Sequence, residues 1–543
     1  MKKLLSIVLC ALLLLSVVPF ASAEGENVLT IAMGTKPCLD LHWNAGSTGA
    51  TLMNMLYEGL YRITENSIEL AGATSRDVSE DGLTWTFHLR EDAKWSDGKP
   101  VTAGDYVYSM KRLVDPNVSS SYMIDYGQYL KNGLAISNGE MALDELGVKA
   151  IDDFTLEIQL EEACSYFESM LTYTSYFPLR EDCVAVEEGN EAREAQWNWA
   201  WDAEKHITNG RMIMTYCDPE QEIVLEKNPN YYGKDNVKLD KLVVKLLDDT
   251  NTTLQLFETG AVDMIDSFPS EETERLKAAG YYHSVPSLYT RFLLINNNAE
   301  GLSDPRVRKA LSLVIDREFV SEVTLGGSFI AADTYVGAGF PGNTDAADFH
   351  TDGGPLFSKT ATEEDIAEAQ KLMAEAGYPN GEGFPLLTCS YASSPNYDLL
   401  FQYLEAVWSE NLGITVKLDP MEGATMTELR DAGKFLITPQ GWGPDWLDAS
   451  NMLSIFVTGN FINAGRYSNE AFDKAYAEAK VTFETEPRLA LLHEAERILI
   501  QEDMGIIPLY HRHAVALYRD SEVTNVKFDA DRKVMYCDVV VTK

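Results

Sequence analysis

The segment GWGPDWLDAS, Gly441 to Ser450, sets one acid, Asp445, between two indoles, Trp442 and Trp446, with glycine and proline on either side. If such a lone carboxylate faced a closing, water-poor cleft, it would be costly to desolvate and would favour a ligand that brings the missing positive charge. Gly441 and Gly443 lack a Cβ and let a second backbone come close. The plainer alternative makes Asp445 a turn or helix N-cap residue beside core tryptophans. Other residue sets with chemical potential are thin. His511 and His513 in YHRH would share one face of a strand and could begin a metal site, with no acidic or cysteine partner nearby in sequence. GAGFPG (Gly337, Gly339, Gly342) has dinucleotide-loop spacing, but Pro341 interrupts it and no helix pattern follows, so a surface loop is expected. His493-Glu494 lacks the second histidine of a zinc-protease helix, and no Gly-x-Ser-x-Gly elbow is present. Abundant acids leave a secreted hydrolase built on a carboxylate pair formally open.

Strand and helix patterns alternate around these residues, which predicts α/β lobes. Leu83–Arg90 and Phe154–Leu160 alternate apolar and polar residues and read as strands. After a turn at Asp97-Gly98, Thr102 or Asp105 opens an amphipathic helix carrying Tyr106 and Met110. DKLVVKLL is a strand entering a helix, a turn and a second buried strand. Val307, Leu311, Val314 and Ile315 fall on one helical face behind Pro305. A capping-box start at Thr362 and a stop at Gly377 bound another helix.

At 543 residues the chain exceeds one core, so two or three lobes are expected. The 44 Lys and Arg against 84 Asp and Glu give a net charge of −40, without a basic stripe, which excludes nucleic acid as a partner. Lys2 and Lys3, the apolar run Leu4–Val18 and the small residues of Ala21-Ser22-Ala23 read as a signal peptide, residues 1–23. The apolar run is short for a bilayer span and no second one follows, so the mature chain carries no transmembrane span. Leu9 before Cys10 argues against a lipid-anchored start. The remaining six cysteines have scattered spacing, which suits free thiols or a single bridge.

The blocks YEGLYRITE, DGLTWTFHLREDAKWSDGKPVTAGDYVYSMKRLVDP, DDFTLEIQL, ITNG, IVLEKNPNYY, LFETGAVDM, LINNN, DPRVRKALSLVIDRE, EAQKLMAEAGYP, AFDKAYAEA and GIIPLYHRHAV occur in order. Together they resemble the landmarks of family 5 solute-binding proteins, the peptide receptors of ABC importers, over essentially the whole mature chain. The resemblance implies an α/β, periplasmic-binding-protein type II-like fold with two lobes, a hinge and an extra third domain, and neither catalysis nor a cofactor. Lobe I would combine residues 24–61, 179–288 and 512–543, the extra domain would be 62–178, and lobe II 289–511, with the hinge near Tyr289 and Tyr510. It further implies an exported monomer, in the periplasm or on the outer face of the cell membrane, that captures peptides, oligopeptides foremost, and delivers them to a membrane permease.

By the same resemblance Asp445 receives the peptide's α-ammonium, and Gly441, Trp442 and Gly443 form the strand that pairs with the ligand. Gly46 and Ser47 face them from the first lobe, and Trp446, Tyr126, Asn296, Asn463 and Arg512 lie at or near cleft positions. The chain departs from the family where Pro439 and Gly423 replace a basic and an aromatic cleft residue and Leu294 a possible acid, leaving Arg430 as a candidate cation for a carboxylate. Arg76 replaces a tryptophan, read as a packing change. Within this fold an oligosaccharide stacked on Trp442, Trp446 and Trp43, or a metal chelate near the histidines, is the alternative cargo.

Overall fold

The computed structural model describes residues 25–543 except Thr35, Ala45, Ser121, Asp125, 185–197, Gly326, Ser328, Asp345 and Ala346. The signal-peptide and Cys10 readings lie outside the described residues. Two strands, Tyr282–Ile295 and Ile506–Tyr518, run antiparallel along most of their length and form the spine of the molecule. On one side the spine continues through Met264–Ile265, Val28–Met33, Lys241–Leu246, Glu222–Lys227 and Met212–Asp218. On the other it continues through Ile437–Trp442, Leu387–Ala392 and Val416–Met421. One mixed sheet thus traverses two bodies of α/β structure, with Ile330–Ala331 as a short extra partner of the spine.

The spine is irregular at its centre, where the register slips between Pro286 and Thr290 and again between Arg291 and Phe292. Proline has no N–H for the ladder, and an unmatched residue bends a strand and increases its twist. Beyond the irregularity the run Phe292–Ile295 is buried on both faces. Phe292 and Leu294 enter one apolar core, Leu293 and Ile295 another. This explains a continuous apolar stretch where a half-exposed strand would alternate.

A separate antiparallel sheet of four strands, Ala73–Val78, Thr84–Leu89, Thr155–Gln159 and Val148–Asp152, shares its core with the first body through Trp85, Phe87, Leu156 and Ile158. The block from Trp95 to Asp105 holds it in place. The buried Trp95 indole donates to the Asp105 carboxylate at 3.2 Å, and the Thr102 amide donates to the same group at 2.8 Å, fixing the start of helix Ala103–Val114. The Thr362 capping box opens Glu363–Glu375, and Gly377 follows at φ +99°. Helix Pro305–Leu313 is shorter than its apolar pattern suggests. Val314 and Ile315 stay buried in the turn beyond it, because Asp316 already caps the next helical turn by accepting from the Phe319 amide. Arg76 ion-pairs with Glu168 and lies 5.8 Å from the Trp85 ring, so it packs on the small sheet. The six cysteines in the described residues are free.

Candidate ligand-binding cleft

Strand Ile437–Trp442 pairs along its whole length with Thr290–Ile295, but on its other edge only Ile437 meets a neighbour, Cys389. From Thr438 onward that edge opens into a cleft of about 640 Å³ lined by Tyr289, Arg291, Tyr397, Arg430, Gly441 and Trp442. Pro439 and Gly423 also line it, whereas Leu294 is buried in the core and has no access.

Past the strand the chain turns through Gly443 and Pro444 to Asp445. The helix that follows, Ala449–Ser454, is capped by Asp448, which accepts from the Ser450 amide at 2.9 Å. The capping alternative for Asp445 therefore fails. Asn451 organises the turn: its side-chain oxygen accepts from the Trp442 indole at 2.9 Å and from the Asp445 amide at 3.2 Å. The Asp445 carboxylate reaches toward the Asp529–Lys533 turn of the first body. Burial pulls the Lys533 ammonium down, but Asp531, Asp529 and Asp445 together hold it above its ordinary value.

The structure brings Tyr126, Trp442, Asp445 and Trp446 together, in roles the sequence did not separate. Tyr126 is fully buried, its ring stacked on Tyr173 at 4.6 Å, and its hydroxyl lies 3.5 Å from the Asp445 carbonyl. Trp446 turns away from the cleft and stacks on Tyr166 of the four-stranded-sheet body, at 5.6 Å and 6°. That junction is sealed by Arg488, which donates to Asp448 at 2.5 Å and to Ser165 at 2.8 Å. Trp446 is thus a docking residue, and a sugar platform of Trp442 with Trp446 does not exist in this geometry.

Gly441 and Gly443 do serve close approach, though the group that approaches is the Tyr289 ring. A Cβ on Gly441 would fall far inside contact distance of its hydroxyl. Arg512 stacks on the same ring at 4.3 Å. Gly46 and Ser47 start helix Ser47–Leu56, and Ser47 lines a second hollow of about 290 Å³ on the first body with Gly34, Thr48, Asp248 and Asp266. Two other candidates are structural. Asn463 donates to the carbonyls of Phe456, Val457 and Tyr467 and accepts from the Tyr467 amide. Asn296 donates to the carbonyls of Gly433 and Phe435 and accepts from the Asn298 amide. The amides of both are occupied by main chain. His511 is buried, with Nδ1 2.9 Å from the Thr290 hydroxyl, and burial pushes its imidazole down to about 4. No cluster of metal-ligating side chains occurs among the described residues.

Asn451 was missed in the sequence, and Tyr289 was placed there at the hinge and not in the cleft. Asn451 carries a faint signal, six residues after Asp445 on the first turn of a helix. Tyr289 has none, because its role depends on pairing with residues about 150 positions away in the chain.

A model of the bacterial extracellular solute-binding proteins, family 5, matches residues 67–464, more than half of the chain. The chain belongs to this family. The dipeptide-binding protein DppE of Bacillus subtilis is 31% identical over 504 residues, 92% of this chain and 89% of DppE. Among solved structures, the unliganded open form of the periplasmic murein tripeptide binding protein MppA aligns with a TM-score of 0.80 at 28% identity, covering 96% of this chain and 98% of that one. Listeria monocytogenes OppA bound to peptide aligns with a TM-score of 0.72 at 29% identity, covering 96% and 100%. The two-lobed, type II-like fold with mixed α/β content is the family's fold. No helix among the described residues is long and apolar enough to cross a membrane.

Proposed function

We propose that this family 5 protein is an exported receptor that captures peptides by their free amino terminus in the interlobe cleft and delivers them to an ABC importer permease. The observation that carries the reading is the open edge of Thr438–Trp442, which leads directly to Asp445. An extended peptide can add to such an edge, drawing affinity from main-chain pairing while its side chains sit in roomy spaces. Pro439 supports this. A proline within a strand is placed with its missing N–H toward the unpaired edge, so Gly441, two residues on, directs its N–H and C=O the same way. Asp445 then meets the ammonium at the end of the added strand, with Gly46 and Ser47 on the facing wall. Relatives named for dipeptides and a neighbour solved with peptide agree with this cargo. The relatives are binding proteins, and the chain is read as a receptor without turnover.

The hinge of the proposal is the irregular stretch Pro286–Arg291 of the spine, and lobe closure about it would bury the ligand. The test is thermal unfolding with peptide pools. A ligand that binds only folded protein adds about 2.7 kcal/mol at 100 times its dissociation constant. Free peptides should raise the melting temperature and their N-acetylated forms should not. Equal shifts from both would remove Asp445 from its role, and a shift from oligosaccharides alone would replace the cargo.

A further inference from the structure

Between Asp445 and Leu447 the chain passes from one body to another. Leu447 lies in the apolar core of the second body, as the strand Ile437–Trp442 belongs to that body, whereas the Trp446 ring lies in the core that the first and third bodies share. Among the described residues the Trp446 indole N–H has no partner, so packing alone holds the ring, chiefly its parallel stack on Tyr166 of the third body. Directed bonds join the two bodies around that stack. The Ser165 amide donates to the Lys480 carbonyl at 2.9 Å, and the Ser165 hydroxyl to the Ala479 carbonyl at 3.1 Å. Arg488, buried on the second body, donates to the same hydroxyl at 2.8 Å and to Asp448, the cap of helix Ala449–Ser454. The chain that leaves Asp445 is therefore fastened at once to the third body, although none of that body's residues lines the cleft along Thr438–Trp442.

We propose that the third body is the mount of the amino-terminus site: the seam through Trp446, Tyr166 and Arg488 persists while the lobes close, and it holds Asp445 still against the ligand's ammonium. This rests on the peptide reading above and gives the third body a part in it. Cost decides between a seam that lasts and one that opens. Opening it would strand the Arg488 guanidinium and its carboxylate partner and bare the Trp446 ring, losses that a bound peptide would have to offset before it gained anything. A seam that lasts constrains the motion instead. The third body shares a core with the first and moves with it. The second body then keeps two contacts, the spine at Pro286–Arg291 and the seam, and turns about the line through both. Asp445, one residue from Trp446, shifts little, while groups away from that line sweep across the cleft. The ammonium site is formed before closure, and a peptide docks by its amino terminus first.

Hydrogen exchange read by mass spectrometry, with tetra-alanine as the probe, tests the seam. The segment carrying the Ser165 amide should keep the same protection with and without peptide, while Thr438–Trp442 gains protection. A loss or gain at Ser165 on adding peptide overturns the mount. Exchange that changes nowhere, with tetra-alanine or with a free peptide pool, overturns the peptide reading and the mount with it. Positioning is read by competition binding, as the ratio of affinities for tetra-alanine and its N-acetyl form. Arg488→Gln should cut that ratio about tenfold by lowering the free peptide's affinity alone, the worth of one or two hydrogen bonds, and Arg488→Lys should recover part of it. Trp446→Phe, which loses no hydrogen bond and keeps a ring on Tyr166, should leave the ratio near that of the natural chain. A folded Arg488→Gln with an unchanged ratio, or one in which both affinities fall together, overturns the mount and leaves peptide capture standing. Should Arg488→Gln fail to fold, the exchange comparison on the natural chain still decides.

Discussion

Asp445 is defined by what surrounds it more than by its own charge. Asn451 fixes its backbone and the neighbouring indole, and Tyr126 approaches its carbonyl. Removing one partner of a buried ion pair typically costs about 3–5 kcal/mol, so Asp445→Asn should weaken peptide binding by roughly 100- to several-thousand-fold in calorimetry. The loss should match that caused by N-acetylating the ligand, because both remove the same pair. Asn451→Ala removes the acceptor from both donors, and affinity should fall about tenfold, the worth of one or two net hydrogen bonds. Asn463→Ala should behave oppositely. Its amide staples main chain at four points, so the melting temperature should drop while peptide affinity stays unchanged, a contrast that thermal unfolding and titration read together.

At the scale of elements, strand Ile437–Trp442 and the spine are matched by the absence of a side chain at Gly441. Gly441→Ala would drive a methyl group into Tyr289, an overpacking that costs about 1–3 kcal/mol, and Tyr289→Ala in the same chain should restore most of the melting temperature. Helix Thr485–Arg497 carries a second constraint. Glu496 is buried and accepts from the Tyr335 and Val336 amides, at 2.9 and 2.7 Å; burial nevertheless lifts its carboxyl to about 7. Because the folded protein holds this proton more tightly than an unfolded chain does, the stabilisation is full below about pH 4.5 and is lost as pH rises through about 7. Glu496→Gln, which keeps the acceptor, should melt above the parent at pH 8 and lose that advantage at pH 5. Much at this scale was legible. Period-2 patterns located Thr84–Leu89 and Thr155–Gln159, and cap residues located the helices after Thr102 and Thr362. The end of Pro305–Leu313 was not legible, since apolar periodicity reports burial and the following turn is buried too.

Across the whole molecule, the open edge and Asp445 lie on one body while Ser47 and Lys533 lie on the other, and the two spine strands cross between them at the irregular segment. Small-angle scattering should therefore show the radius of gyration fall when saturating peptide is added, and Asp445→Asn should abolish the change at the same peptide concentration. The third body shares its core with the first and also meets the second through Trp446, Tyr166 and Arg488, so closure has to accommodate that junction.

Local rules are written into the chain itself. Alternation, caps and turn residues depend on near neighbours, and they determined the α/β class and most elements and marked out the acid between two indoles at Asp445. Tertiary structure decided everything that depends on residues far apart in sequence. It turned Trp446 into a docking residue, occupied the amides of Asn296 and Asn463 with main chain, filled the space above Gly441 with Tyr289, and set Arg291 in the cleft beside the rings of Tyr289 and Tyr397. The physical reason is that a side chain's role is set by which partner reaches it first, and for these residues the partner arrives from a strand, turn or helix that only folding brings near.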